Sequence, residues 1–331
     1  MQKIDREALV SKAVELLNNG TCTAVFGWRK GEFDYDLTPS IFVSEKDIKE
    51  NFVWNDFCGA NFSKYLVSKT VKHDGKILVF LKPCDTYSFN QLLTEHRFDR
   101  EKVYAVGIPC EGMADIDKVK KLAGEGICKI DFDKDNIVVH TLYNDKPTTI
   151  AVKDVLAERC LNCKSKKHVA YDELIGEEGE VLQSKRFDQV EELEKMSSEE
   201  RFAFWQNQLS KCIRCNACRD VCPACTCEKC VFDNAKSGVE NKAPANSFEE
   251  KMFHIIRAFH VAGRCTDCGE CSRVCPQNIP LHLLNRKFIK DINTFYGEYQ
   301  AGEQVGSRAP LVNYTTDDVE PCDVFKGEEN A

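Results

Sequence analysis

The sequence predicts an α/β domain followed by an α-helical domain that is organised around cysteine motifs. The α/β prediction depends on β-branched runs that alternate with helical patterns between about residues 22 and 175. Some of these runs are apolar throughout, which is typical of buried parallel strands. The α-helical prediction depends on two long cysteine runs of the same spacing, each of which follows an amphipathic helical pattern.

The pattern of apolar residues predicts the elements of the first part. The predicted strands are Thr23–Phe26, Ile41–Val43, Lys76–Leu81 and Val103–Ile108. The predicted helices are Tyr87–Leu93, Asp115–Leu122 and a helix from about Lys153 to Arg159, and a hairpin is predicted around Tyr143–Lys146. The last two strands both run into Pro, Cys and an acidic residue, at Cys84 and Cys110. Because ligands bind at the carboxyl ends of strands in open α/β sheets, both cysteines should lie on the ligand-binding rim.

The second part contains two C-x-x-C-x-x-C-x-x-x-C-P runs. This is the spacing of two-cluster ferredoxins, in which the fourth cysteine of each run ligates the other cluster. The first set of 4Fe–4S ligands is therefore predicted to be Cys212, Cys215, Cys218 and Cys275. The second set is predicted to be Cys265, Cys268, Cys271 and Cys222. Disulfides and zinc are the alternatives, but zinc sites usually use paired C-x-x-C units and do not need the further cysteines in this register.

Helical patterns surround both runs. Ser197 and Glu200 form a predicted capping box, which opens a helix that leads through Trp205 into Cys212. A second helix leads into the second run, with its apolar stripe at Met252, Ile255, Ile256 and Phe259. A third helix follows that run and carries on one face Leu281, Leu284, Phe288 and Ile292. The predicted fold class is an α/β N-terminal domain plus an α-helical ferredoxin-type domain with two 4Fe–4S motifs, because the runs lie too far apart for a compact β-type ferredoxin.

Two further groups of cysteines are candidate ligands. The third set, predicted to hold another 4Fe–4S cluster, comprises Cys84, Cys110, Cys160 and Cys163. A single cysteine at a strand end is more often a small buried hydrophobe, but two matching strand ends and a C-x-x-C favour a cluster. The fourth set comprises Cys225, Cys227 and Cys230, with Cys58 as the candidate for its remaining ligand. Clustered thiolates repel one another unless a metal neutralises them. Cys22, Cys128 and Cys322 are predicted to be plain thiols.

Composition narrows the possible classes of protein. The net charge of −8 argues against nucleic-acid binding, which needs a basic surface. No apolar run is long enough to span a membrane, and the N-terminus lacks a signal-peptide core. Nineteen cysteines without an export signal predict thiolate–metal ligation in a reducing cytoplasm, in an anaerobic organism. The predicted division is residues 1–176 as the α/β domain, 177–196 as a charged linker or solvated helix, 197–299 as the dicluster domain and 300–331 as an irregular acidic tail.

Short motifs along most of the chain match successive signatures of one family. They are Thr38-Pro-Ser-Ile-Phe42, Asn61-Phe-Ser-Lys64, Lys82-Pro-Cys-Asp85, Gly107-Ile-Pro-Cys110, Cys160-Leu-Asn-Cys163 and the long run from Cys212 to Cys230. On these residues the chain resembles the beta subunits of the deazaflavin-dependent (coenzyme F420) formate dehydrogenases and hydrogenases of methanogens. The resemblance implies several 4Fe–4S clusters, a bound FAD, and electron transfer between the deazaflavin and a catalytic partner subunit.

The N-terminus departs from that family, because it has no Gly-Gly segment before its first helix. Glycines allow a backbone to approach a cofactor phosphate closely. We therefore predict at least two and up to four 4Fe–4S clusters, without tight binding of FAD or of the deazaflavin. The predicted function is electron transfer in a complex with a formate dehydrogenase, a hydrogenase or a heterodisulfide-reductase-like protein, and ferredoxin is a further candidate partner. The alternatives are a flavin-dependent subunit that exchanges hydride with the deazaflavin or NAD(P), and a zinc-binding scaffold.

Overall fold

The structure is a computed structural model that describes residues 4–182, 185–233 and 247–312. In that part of the chain the strands are β1 Ala24–Lys30, β2 Leu37–Phe42, β3 Phe52–Val53, β4 Ile77–Leu81, β5 Val103–Gly107, β6 Ile127–Asp133, β7 Asn136–Thr141, β8 Thr148–Ala151 and β9 Glu173–Leu174. The α-helices are α1 Arg6–Asn18, α2 Glu45–Asn51, α3 Ser63–Lys72, α4 Pro83–Thr94, α5 Ile116–Ala123, α6 Glu158–Leu161, α7 Asp188–Lys195, α8 Ser198–Leu209, α9 Ala217–Asp220, α10 Ser247–Val261, α11 Glu270–Arg273 and α12 Leu281–Tyr296.

A mixed sheet forms the centre of the N-terminal part. Its strand order is β2-β1-β4-β5-β9, and β3 also pairs with β1. Strands β1, β4, β5 and β9 are parallel, whereas β2 and β3 run antiparallel to β1. Every residue of β4 is buried, as expected for a central parallel strand. The α/β prediction is confirmed, and the carboxyl ends of β4 and β5 lead directly to Cys84 and Cys110.

A second sheet lies beside the first and consists of β6, β7 and β8, all antiparallel. The predicted hairpin is present, because β7 pairs with β8 across the turn that joins them. The helix predicted from Lys153 to Arg159 is wrong in its extent. The chain instead forms a 3-10 turn at Val152–Val155 and then the short helix α6. Val152 and Val155 are buried in the core of this sheet, so tertiary packing decides the conformation of the segment.

The remaining helices pack around the cysteine motifs. Helices α8 and α12 both contact α10, and α12 also contacts α7. The predicted capping box opens α8: Glu200 N–H donates to Ser197 Oγ at 3.2 Å, and Ser197 N–H donates to Glu200 Oε2 at 2.9 Å. Helix α7 lies in the segment predicted as a linker, yet its Val190 and Leu193 are buried against Leu283 of α12. This part of the segment is therefore a packed helix rather than a solvated one.

Helix α10 contradicts the predicted apolar stripe. Met252, Ile255 and Phe259 are exposed, whereas Phe253 and Arg257 are buried. Ile256 is the one residue of the predicted stripe that packs, partly buried, against the helical core. The helix is rotated so that a cation faces the cysteine motifs.

The other predictions for the C-terminal region have mixed outcomes. On α12, Leu281 and Ile292 are buried as predicted, but Leu284 and Phe288 are only partly buried. The predicted tail is described up to residue 312, and Cys322 lies outside the described residues. Among the described helices, none combines the length and the apolar character that crossing a bilayer requires.

Candidate iron–sulfur sites

The two cysteine runs share one backbone conformation. Arg214 and Asn216 in the first run have φ angles of 54° and 63°, and Asp267 and Gly269 in the second have φ angles of 60° and 67°. Left-handed backbone costs most non-glycine residues about 1–2 kcal/mol, and three of these four residues are of the types that adopt it most readily, Asn, Asp and Gly. In each run the loop leads into a short helix, α9 or α11, which places the third cysteine in a buried position. The same backbone geometry in both runs indicates that the two runs have the same function.

The cysteines of the first set line one cavity. They are Cys212, Cys215, Cys218 and Cys275. Phe253, Ile279 and Leu281 form part of the apolar wall of this cavity. Burial raises the pKa of the Cys218 thiol to about 11. The structure therefore brings Cys275 from the second run to three cysteines of the first run.

The cysteines of the second set also lie together. Burial raises the pKa values of Cys265 and Cys271 to about 12, and the negative charge of Cys222 is a further cause for both. Burial also raises the pKa of Cys268 well above its usual range, and Cys222 contributes there as well. Cys222 thus faces three cysteines of the other run. A metal that binds such thiols must displace their protons, and it supplies the positive charge that the thiolates need.

The third set lies at the sheet rim. Cys84, Cys110, Cys160 and Cys163 line one cavity. Burial and then the charge of Cys160 raise the pKa of Cys110 to about 12. The Met113 N–H donates to Cys160 Sγ at 3.4 Å, a contact that would favour a thiolate. The structure thus brings together the four cysteines that were predicted from two strand ends and a C-x-x-C.

Buried lysines surround the third set. Lys82 Nζ lies 2.9 Å from the Asp85 carboxylate and 4.8 Å from the centre of the Trp28 ring. Lys164 Nζ lies 3.7 Å from the centre of the Tyr87 ring, and burial lowers the pKa of this lysine to about 7. Both lysines line the cavity of the four thiols. An anionic group in that cavity would receive positive charge from two sides.

The fourth set is only partly assembled. Cys225, Cys227 and Cys230 line one cavity, which is large and open to solvent. Cys58 does not line it. This residue is fully buried in the core of the α/β part, and its Sγ lies 3.8 Å from the Val53 carbonyl oxygen. The choice of Cys58 as the remaining ligand is therefore not supported, because its own strand–loop segment holds it in the core.

Two of the cysteines predicted to be plain thiols are in the described chain. Cys22 is buried beneath α1, and Cys128 is exposed on β6. Neither lines one of the cysteine cavities described above.

A single metal ion and a cluster place different demands on the cysteines that bind them. Within the described ranges, no three His, Cys, Asp or Glu side chains approach as closely as a single ion requires. Zinc holds its thiolates about 2.3 Å from one centre. A 4Fe–4S cube has a separate iron for each cysteine, so it holds four thiolates further apart. Each cube needs four ligands, one for each iron, and each of the first three sets brings four cysteines together.

Polar contacts join the helical part to the α/β part. Arg159, next to Cys160, pairs with buried Glu270, donates to the Cys268 carbonyl at 3.0 Å and donates to the Gly59 carbonyl at 2.7 Å. The Ser88 and Thr266 hydroxyls lie 2.8 Å apart, and Arg264 pairs with Glu95 at 2.6 Å. Arg159 therefore connects a cysteine of the third set with one of the second.

Another cavity, of about 310 Å³, lies between the two parts. Tyr35 and Phe57 form part of its apolar wall, and Lys118, Lys121 and Arg273 add positive charge. Its volume is at the lower end of the range for small-molecule sites.

Sequence reasoning did not identify the buried cations. Lys82 and Lys164 could have been found, because each lies within two residues of a predicted ligand. Arg159 is likewise adjacent to Cys160. Arg257 could not have been found in this way, because it lies on α10, far in sequence from every cysteine of the first run.

Comparisons with known proteins agree with this class of site. Residues 208–279 match the family described as the 4Fe-4S dicluster domain. The chain therefore contains an iron–sulfur domain of this type.

The similarity to known subunits extends well beyond that domain. The beta subunit of the F420-dependent formate dehydrogenase of Methanocaldococcus jannaschii is 24% identical, over 83% of this chain and 86% of that protein. The beta subunit of F420-dependent formate dehydrogenase 1 of Methanococcus maripaludis is 23% identical, over 84% of this chain and 87% of that protein. The resemblance predicted from the motifs is confirmed.

One solved structure is also similar. A chain of the F420-reducing [NiFe] hydrogenase complex of Methanosarcina barkeri aligns with a TM-score of 0.36 and 14% identity, over 61% of this chain and 84% of that chain.

Proposed function

We propose that this protein is an iron–sulfur electron-transfer subunit of an anaerobic, cytoplasmic oxidoreductase complex. The observation that carries the proposal is the assembly of twelve cysteines, from five separate segments of the chain, into three groups with mutually close thiols. Thiols that belong to different segments converge in this way where a metal group binds them. The dicluster match over residues 208–279 supports iron–sulfur chemistry for two of the groups.

The first three sets are the proposed ligands of three 4Fe–4S clusters. When bound, these clusters supply one-electron transfer. The chain contributes the thiolates, of which Cys218 and Cys271 are buried and most of the others are partly buried. It also contributes buried cations, among them Lys82, Arg159 and Arg257, which stabilise negative charge at the sites. The fourth set is proposed as a further cluster site with three protein thiolates.

The proposed partner is the catalytic subunit of a formate dehydrogenase or a hydrogenase, or a heterodisulfide-reductase-like protein. The relatives that match along most of this chain are named as subunits of formate dehydrogenases, which supports a partner of the first kind. Electrons would enter or leave through the partner and pass between the second and third sets near Arg159.

A second candidate is a flavin-dependent subunit that exchanges hydride with the deazaflavin or NAD(P). The cavity of about 310 Å³ between the two parts favours it, because it combines aromatic and basic side chains. The N-terminal segment does not favour it. Gly20, its first glycine, has a φ of 77° and no atom within 4 Å of the position that a Cβ would occupy, so it serves a surface turn.

An anaerobic pull-down of the tagged chain from its own host tests the proposed function. Formate or hydrogen is then added to the captured complex, and the visible absorbance of the clusters is recorded. We expect a catalytic subunit to copurify and one of the two substrates to bleach the absorbance. A chain that is captured alone and responds to neither substrate would contradict the proposal.

A further inference from the structure

Arg257 is a buried cation on α10, outside the apolar cores of the two parts. The residue is only 3% exposed and lies on the inner face of α10. Its Nη2 donates to the Cys218 carbonyl at 3.0 Å. Its Nε is buried without a hydrogen-bond partner among the described residues. A buried donor without an acceptor costs on the order of 1–3 kcal/mol, and more when it is charged, so a further acceptor is expected beside it.

The groups around Arg257 indicate what that acceptor is. Arg257 lines the cavity of the fourth set together with Cys225. The charges of Cys222, Cys271, Cys218 and Cys225 all act on its guanidinium. These four cysteines belong to the first, second and fourth sets. In addition, Cys222 and Cys225 are in hydrogen-bond contact. The three sets therefore meet around one cation.

We propose that the buried charge of Arg257 electrostatically stabilises the reduced clusters of the first, second and fourth sets, and that its Nε–H donates to a sulfur of one of them. This inference rests on the proposed function. Arg257 acts as a positioning residue, because it reaches the clusters without ligating iron. Reduction of a cluster adds one electron and therefore one negative charge. A buried cation within reach stabilises the reduced form of each cluster and raises its potential.

Arg264 provides a matched control. It is the same residue type, follows α10 in the chain and lines the cavity of the fourth set. However, its guanidinium donates to both carboxylate oxygens of Glu95, at 2.8 and 2.6 Å. Its charge is already neutralised, so its loss should affect the clusters much less than the loss of Arg257.

The test is a redox titration of the anaerobically purified full chain, with dithionite as reductant and paramagnetic resonance as the readout. Arg257→Gln should lower the reduction potentials of at least two clusters by about 59 mV each, which is a tenfold change in the equilibrium constant of a one-electron reduction. Arg264→Gln should lower them by less than half as much. Unchanged potentials in an iron-replete Arg257→Gln protein would overturn the inference and leave the proposed function intact. A wild-type chain without iron and sulfide would instead defeat the proposed function.

If Arg257→Gln loses iron, its cluster potentials cannot be measured, and a second variant is needed. Arg257→Lys retains the charge but not the Nε–H. It should therefore lower the same reduction potentials, but by less than Arg257→Gln does. In protein labelled with ¹⁵N-arginine, it should also abolish a ¹⁵N coupling to the reduced clusters. An Arg257→Lys protein with wild-type potentials and an unchanged ¹⁵N coupling would overturn the inference.

Discussion

Buried lysines and arginines are the side chains that distinguish this interior from an ordinary hydrophobic core. Lys82, Arg257 and Arg286 are each at most 3% exposed. Arg286 has a protein counter-ion, Asp267, at 3.0 Å, whereas Arg257 donates to a neutral carbonyl and lies among thiols. A charge buried in this way requires an anion, and cysteine-ligated clusters are anionic. Lys82 also has a carboxylate partner, Asp85, so it is the buried charge of Arg257 that the cysteines explain.

The exchange of the fourth cysteine between the two runs is testable at single residues. Cys275→Ser should remove the same cluster signal as Cys215→Ser, because both residues line one cavity. Cys222→Ser should instead remove the signal that Cys268→Ser removes, because Cys222 faces the second set. Paramagnetic resonance of the four reduced variants distinguishes the signals. A Cys275→Ser variant that matches Cys268→Ser would show that each run holds its own cluster.

The elements show how far sequence reasoning reached and where it stopped. The strands β4 and β5 were predictable because buried parallel strands are apolar throughout, and the capping box of α8 was predictable from Ser197 and Glu200. The orientation of α10 was not. Its apolar residues were expected to face inwards, but the interior contains thiols in addition to apolar side chains. Arg257 therefore takes the inner face and Phe259 remains 63% exposed.

The helices that surround the motifs should depend on the clusters for their stability. Each motif loop contains left-handed residues, and the short helices α9 and α11 have four residues each. Such helices are too short to be stable alone. Cys215→Ala should lose one cluster and expose the helical part to protease, while the α/β part remains protected. Leu122→Ala, at an exposed position on α5, is the control and should change neither. Full protection of the helical part after iron removal would contradict the prediction.

On the scale of the whole molecule, the α/β and helical parts are joined by a buried ion pair. Glu270 is 1% exposed and pairs with Arg159 and Arg273. Glu270→Gln leaves the Arg159 charge without its partner, which typically costs about 3–5 kcal/mol. We expect a lower midpoint of denaturant unfolding and faster proteolysis between the parts. Glu50→Gln, which breaks an exposed pair with Lys46, should leave both unchanged. If both variants unfold alike, the pair does not join the two parts.

A further prediction at this scale concerns flavin binding. The described N-terminal segment offers no glycine turn against a strand, so we predict that FAD does not bind tightly to the chain alone. Reconstitution with FAD followed by gel filtration measures this. Stoichiometric flavin in the protein peak would make the second candidate function the better one, and Lys121→Gln should then weaken that binding, because Lys121 lines the cavity between the parts.

The central claim is that the cysteine sets hold iron–sulfur clusters, and metal analysis tests it most directly. Iron, acid-labile sulfide and zinc are measured in the anaerobically purified full chain. Three cubes predict about twelve iron and twelve sulfide per chain, because each cube contains four of each. About eight of each would remove the third set, and about sixteen would support the fourth. A chain that contains zinc and no sulfide would contradict the claim.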